Sequence, residues 1–171
     1  VNKVAVDSQG NVFVMGSCLG TCSLDPANTT TNFVSGNDRG MLLKLDSNGD
    51  YQWAIDHPSP GNWDDGSGSV IDNIAFFPSG DFVISGVIGN APTDVDPGPG
   101  TTNVSANPTA IQTAFVARYT SSGGLVWAAP IITTSRSRAE TIEVTPAGSI
   151  LLGGYFVGTT DFDLGTGTNN V

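Results

Sequence analysis

Charge is scarce in this chain. Charged residues make up 13% of its 171 positions, against about 25% in an ordinary soluble domain. The rarest are the helix formers: Lys occurs only at Lys3 and Lys44, Glu only at Glu140 and Glu143. Helical bundles and coiled coils are rich in both, so that class is excluded. Six basic residues against sixteen acidic ones leave a net charge of −10. No phosphate-neutralising face can be built from so few cations, which excludes nucleic acid and anionic membrane surfaces as partners. Long apolar runs are missing too. The longest, 125–132, contains Pro130 and is far short of the ~18 residues of a membrane span, so no membrane insertion is expected. No secretory leader pattern is visible, and a chain beginning at Val1 reads as a mature or excised piece of something longer.

Turn formers and apolar residues fill the gap. The chain has 22 Gly and 10 Pro, and 39% of it is hydrophobic. That is enough to build a core and argues against disorder. Fourteen of the sixteen acidic residues are Asp, a residue of turns and loops whose short carboxylate bonds nearby backbone or coordinates a hard cation. An all-β protein with many turns is expected.

Internal repetition organises the chain. Val4-Ala-Val-Asp-Ser-Gln-Gly-Asn-Val-Phe-Val-Met-Gly16 aligns with Ile74-Ala-Phe-Phe-Pro-Ser-Gly-Asp-Phe-Val-Ile-Ser-Gly86 and with Ile142-Glu-Val-Thr-Pro-Ala-Gly-Ser-Ile-Leu-Leu-Gly-Gly154. The turn glycines Gly10, Gly80 and Gly148 fall 70 and 68 residues apart, and Gly16, Gly86 and Gly154 follow in step. A second element, Met41 to Trp53, matches Phe115 to Trp127. Between the two lies a third: Leu24-Asp-Pro26 matches Val95-Asp-Pro97, with Phe162-Asp-Leu164 as the next copy. Each unit reads as two hairpins with Asn/Gly-type turns. Four strands per unit is the size of a β-propeller blade. The expected architecture is therefore propeller-like: four-stranded antiparallel blades of about 70 residues, at 2–69 and 70–138, with half of a third at 139–171. Propellers close with about four to eight blades, so two and a half cannot close alone. Trp53 and Trp127 fall at matching places, where blade-to-blade packing is expected in preference to ligand stacking.

Three stretches carry a family likeness: Val6-Asp-Ser-Gln-Gly-Asn-Val-Phe-Val14, Asp94-Val-Asp-Pro-Gly-Pro-Gly-Thr101 and Phe115-Val-Ala-Arg-Tyr-Thr-Ser-Ser-Gly-Gly-Leu-Val-Trp127. Together they resemble the seven-bladed-type β-propeller repeats of large secreted or surface-exposed bacterial proteins. The resemblance implies an extracytoplasmic propeller or propeller-like array and leaves activity open. The chain departs from the pattern where Phe77 and Thr145 replace Asp7, in the long loop 57–69, and at Ser23, where later copies have Asp94 and Asp161. Gly49-Asp-Tyr-Gln-Trp53 and Gly123-Gly-Leu-Val-Trp127 also resemble the blade hairpin of quinoprotein dehydrogenases, without the cysteine pair or the cationic cluster that suit a quinone.

The strongest candidate for site chemistry is the repeated Asp-x-Asp turn. In extended backbone, residues i and i+2 share a side, so Asp94 with Asp96, and Asp161 with Asp163, bring two carboxylates together ahead of a glycine-containing turn. Such an oxygen-rich place suits Ca²⁺. The alternative is that these carboxylates cap their own turns by accepting backbone N–H bonds. The first copy keeps only Asp25. Trp63, Asp64 and Asp65 form a second acidic spot, read as a solvated loop in preference to a cation or sugar-stacking site. Cys18 and Cys22 are spaced for a local disulfide at a tight turn around Gly20, with free buried thiols or a metal site as alternatives. His57 is the only histidine and no Gly-x-Ser-x-Gly elbow exists, so nucleophilic catalysis finds no footing and no catalytic residue is assigned.

The leading functional expectation is a non-catalytic structural or binding module of an extracellular or cell-surface bacterial protein, serving adhesion, scaffolding or assembly. Its partners would be other blades of the same or a neighbouring chain, or a carbohydrate or protein surface ligand. The rivals are a propeller enzyme, carbohydrate-active or redox, whose active site lies in other blades, and a subunit of an extracellular fibre.

Overall fold

A computed structural model describes residues 3–25, 32–57, 70–89, 91–165 and 167–171. Strand makes up 58% of the structure and no helix occurs among the described residues. Hence no helix is long and apolar enough to cross a membrane. The first four strands, β1 (Lys3–Val6), β2 (Val12–Ser23), β3 (Asn32–Leu45) and β4 (Tyr51–His57), form an antiparallel sheet in sequence order. A second antiparallel sheet follows, from β5 (Val70–Phe76), β6 (Phe82–Ile88), β9 (Thr113–Tyr119) and β10 (Leu125–Ile131). Between β6 and β9 the chain leaves the sheet to make a short ribbon, β7 (Thr93–Asp94) with β8 (Asn103–Val104). The last pair, β11 (Arg136–Val144) and β12 (Ile150–Val157), is a two-stranded hairpin. Among the described residues no sheet closes on itself.

The strands are joined by one turn used repeatedly. In the β1–β2 turn, Gly10 N–H donates to the Asp7 carbonyl at 3.1 Å and Asp7 N–H to the Asn11 carbonyl at 3.0 Å. The same two bonds recur around Gly49, Gly80, Gly123 and Gly148. All five glycines have φ between +84° and +91°. This is the three-residue hairpin loop in which a type I turn is closed by a left-handed residue, where a side chain is strained. In four of the five the side chain at the first position caps the turn; in the Gly80 turn that position is Phe77, and Ser79 Oγ accepts the Asp81 N–H instead. Asp7 Oδ1 takes the N–H groups of Gln9 and Asn11, both at 2.9 Å, and Asp46 Oδ1 those of Asn48 and Asp50. Thr120 and Thr145 use their hydroxyls instead.

The second repeated glycine has a different cause. β5 bulges between Ile71 and Asn73, and β11 bulges between Ala139 and Thr141, the matching place. Each bulge drives a carbonyl toward the neighbouring strand. A Cβ on Gly86 would run into the Val70 carbonyl oxygen with Phe115 Cε1 2.9 Å away, and one on Gly154 would meet the Arg138 carbonyl. The glycine is there to let the backbones approach.

Packing follows from strand alternation. Phe82, Ile84 and Ile88 face the first sheet and join Phe13, Met15, Leu42 and Ile55 in one core. Val83, alternate to them, faces the last hairpin and packs with Ala114, Val116, Ala139 and Ile142 in a second core. Every residue of β6 is therefore buried, as in a strand covered on both faces. Trp53 lies between the first two sheets, stacked on Phe82 with centroids 5.7 Å apart and edge-on to Phe13 at 5.8 Å. Its counterpart Trp127 packs against the second core. Both tryptophans thus serve sheet-to-sheet packing. Lys44 covers the outer side of the first core, 5.3 Å from the Phe13 ring centroid, and its repeat partner Arg118 sits 4.2 Å from that of Phe77 while bonding Asp81 at 2.8 Å.

Two glycine substitutions separate the two causes. Gly148→Ala meets nothing within 4 Å, so only the left-handed backbone is penalised, at about 1–2 kcal/mol. Gly86→Ala also forces a methyl against a carbonyl and should cost about 3 kcal/mol, the upper end of overpacking. Urea unfolding midpoints at constant m-value check the order.

Candidate functional site

The Asp-x-Asp turns occupy equivalent places. Asp94 pairs with Asn103 across the β7–β8 ribbon, Asp161 bridges Asn170, and in the first unit Ser23 pairs with Asn32 at the ends of β2 and β3. One connection thus recurs in three units, drawn out as long strands in the first and as a separate ribbon or bridge in the others.

Within the two later copies the wiring repeats atom for atom. Asp94 Oδ1 accepts from Asp96 N–H at 3.1 Å and from Thr102 N–H at 2.9 Å. Asp161 Oδ1 accepts from Asp163 N–H at 3.0 Å and from Asn169 N–H at 2.7 Å. Asp96 Oδ1 and Asp163 Oδ1 each take the N–H of the glycine two residues on, Gly98 or Gly165, at 2.8 Å. The loop wraps its own carboxylate closely: a Cβ on Gly100 would lie 2.8 Å from Asp96 Oδ2. The sequence therefore folds locally so that each first Asp closes the loop and each second Asp turns it. The structure brings Asp94 to Asp96 in one turn and Asp161 to Asp163 in the other. Among the described residues no group of three or more His, Cys, Asp or Glu is placed to hold a metal ion. Amide donors compensate these carboxylates, and that geometry supports turn capping.

Electrostatics agree with the hydrogen bonds. The amides of Asn169 and Asp163 hold the Asp161 carboxyl below its ordinary value. Burial pushes the Tyr119 phenol far above its usual range, with the Asp96 and Asp94 carboxylates adding to the rise. Tyr119 O–H donates to the Val95 carbonyl at 2.8 Å and so pins the loop to the sheet. In the first unit Leu45 stands at this place. Beside the second-unit turn a shallow cavity of about 250 Å³ opens between Trp53, Ile55, Pro97 and Gly98. Trp53 is engaged in the core on one side of it, so its ring is committed to packing.

Cys18 and Cys22 are disulfide-bonded, with Cα atoms 6.2 Å apart. The turn expected at Gly20 is not a hairpin loop. All three residues lie in β2, where the pairing with β3 slips between Cys18 and Gly20, and Gly20 has φ +80°. The left-handed glycine folds the strand on itself and brings together two cysteines that straight strand geometry would hold roughly 13 Å apart. The side chain of His57 and the stretch 58–69 with Trp63, Asp64 and Asp65 lie outside the described residues, as do residues 26–31 beyond Asp25.

Sequence reasoning missed a polar ladder along the first strand of each unit. Lys3 Nζ donates to Asn73 Oδ1 at 2.8 Å, and Asn73 Nδ2 donates to the Ala139 carbonyl at 3.3 Å. One step away, Arg138 bonds Asp72 at 3.1 Å. Burial raises the Asp72 carboxyl above its ordinary value even though the Arg138 guanidinium pulls it down. Its Oδ2 is buried without a hydrogen-bond partner. The only visible signal was an acid in the same column, Asp72 and Glu140, at the bulges beside Gly86 and Gly154.

Neither the protein-family models nor the curated proteins contain a match to this chain.

Turn capping makes two checkable demands. Asp94→Ala removes an ionised acceptor from two amides and should cost about 1.5–3 kcal/mol, while Asp94→Asn, which keeps a carbonyl acceptor, should cost less. Melting temperatures of wild type and Asp96→Ala should each be the same in EDTA and in about 1 mM calcium, a level that fills weak extracellular sites. A calcium-dependent rise that Asp96→Ala removes would instead establish a metal role. The pH dependence has a definite sign. Asp161 titrates below its ordinary 3.8 when folded, so its contribution is complete above that value and is lost as pH falls through the folded pKa. Asp161→Asn should accordingly flatten the acid limb of the stability–pH curve.

Proposed function

We propose that this chain is a non-catalytic structural module: consecutive units of a β-propeller-type repeat stack, belonging to a large extracellular or cell-surface bacterial protein and serving adhesion, scaffolding or assembly. The observation that carries the reading is the middle sheet, whose two faces are covered by its two neighbours through repeat-equivalent side chains. A unit that buries itself only between like units is the building principle of repeat proteins. Asp94, Asp96, Asp161 and Asp163 accept backbone amides of their own turns, a structural use of these carboxylates. An extracytoplasmic location belongs to the same proposal and draws support from the disulfide, which persists in oxidising compartments. Its partners are further units of the same repeat in this or a neighbouring chain.

Turnover assays test the proposal against its enzymatic rivals. Chromogenic glycosides, and dye-coupled oxidation of alcohols and aldoses with added quinone, should be converted no faster than in buffer. Saturable turnover that one substitution among the described polar residues abolishes would overturn it.

A further inference from the structure

The five hairpin loops share one backbone, but the residue ahead of the left-handed glycine varies: Gln9, Asn48, Ser79, Ser122 and Ala147. Asn48–Gly49 is the one Asn-Gly pair in the sequence. That pair is chemically labile. The asparagine carboxamide carbon can close a succinimide ring with the next backbone nitrogen, and glycine has no side chain to shield that nitrogen. Gln9 ahead of Gly10 would have to close a ring one atom larger, and serine and alanine carry no carboxamide.

The structure leaves Asn48 free to react and shows what restrains it. Asn48 is exposed, and its carboxamide has no hydrogen bond among the described residues. Ser122, its counterpart in the second unit, is exposed too, although Lys44 and Trp53 of the first sheet pack against that turn. Openness at this place therefore belongs to the loop itself. Other asparagines are tied down: Asn11 Nδ2 donates to Asp7 Oδ2 at 2.8 Å, and Asn73 is bonded at both ends of its amide. The restraint on Asn48 is Asp46. Its carbonyl accepts the Gly49 N–H at 3.0 Å, while its Oδ1 accepts the N–H of Asn48 at 2.8 Å and of Asp50 at 3.0 Å. The Gly49 nitrogen must leave that carbonyl before it can attack. The carboxylates of Asp46 and Asp50 also oppose the ionisation that attack requires.

We propose that Asn48–Gly49 is a self-modifying site, where the chain deamidates with water as the only co-reactant, and that Asp46 sets the rate by holding the turn shut. The Gly49 nitrogen bonds to Asn48 Cγ and gives up its proton; the Cγ–Nδ2 bond breaks and ammonia leaves. Water then opens the succinimide at either carbonyl, giving aspartate or isoaspartate at position 48. Each conversion adds a negative charge beside Asp46 and Asp50. The isoaspartate route also moves a methylene from the side chain into the main chain of the loop. β3 and β4 already change register between Lys44 and Leu45, beside the pairing of Lys44 with Trp53. A longer loop there loosens the strand that carries Trp53 to the core. The inference concerns covalent chemistry and is independent of the repeat-stack reading.

The intact protein is aged in mildly alkaline buffer made with heavy-oxygen water, digested in ordinary water and mapped by mass spectrometry. The fragment holding Asn48 should lose ammonia and take up one heavy oxygen, as paired aspartate and isoaspartate products. Gln9, Asn11, Asn73 and Asn103 should stay unchanged. A free peptide of residues 44–53, with no fold to hold its turn, should convert faster than the protein. Asp46→Ala should speed conversion in the protein by about tenfold, the equivalent of 1.4 kcal/mol of local opening. Asp46→Asn, which keeps an acceptor, should speed it less. Asp7→Ala, which strips the same cap from the β1–β2 turn, should leave the rate at Asn48 unchanged and so separates local from global opening. The proposal is overturned if Asn48 stays intact while the peptide converts, or if conversion is spread over the other asparagines. It is also overturned if Asp46→Ala, still folded by circular dichroism, converts no faster than wild type or than Asp7→Ala.

Discussion

Covering both faces of the second sheet is the constraint on which the remaining features depend. A sheet hydrophobic on two sides cannot stand in water, so the first sheet and the last hairpin must lie against it. That demand explains the alternation in β6, where Phe82 and Ile84 point one way and Val83 the other. It also places the aromatic cluster of Phe13, Trp53 and Phe82 at the first junction. The charged members of the repeat then fall at the margins. Lys44 and Arg118 lie over aromatic faces, and Arg118 and Arg138 close ion pairs across strands or sheets.

Close approach has a local cost, and the chain meets it with glycine. Where β5 and β11 bulge, a carbonyl is pushed into the space a Cβ would fill, and Gly86 and Gly154 leave that space free. Where strands reverse, left-handed glycines close three-residue loops. The two uses look alike in the sequence, as two glycines six positions apart, yet one answers to backbone conformation and the other to contact with a neighbouring strand.

The same economy governs the acidic residues. Short carboxylates of the Asp-x-Asp turns are bonded to the amides of their own loops, in identical patterns eight residues wide. Repetition of the wiring is the reason for reading these turns as architecture.

Whatever depended on neighbours within about five residues could be read from the sequence: the all-β class, the hairpin turns and the local turn that joins Asp94 to Asp96. Turn chemistry is local, so Asp, Asn and Gly at fixed offsets announce it. Tertiary structure alone decided the rest. Asn73 reaching Ala139, Arg138 meeting Asp72, and Tyr119 holding Val95 join residues 24 to 66 apart. The register slip beside Cys18 that accompanies its bond to Cys22 depends in the same way on strand pairing. Such contacts are set by which face each strand turns inward, and a one-residue shift at a bulge reverses that choice.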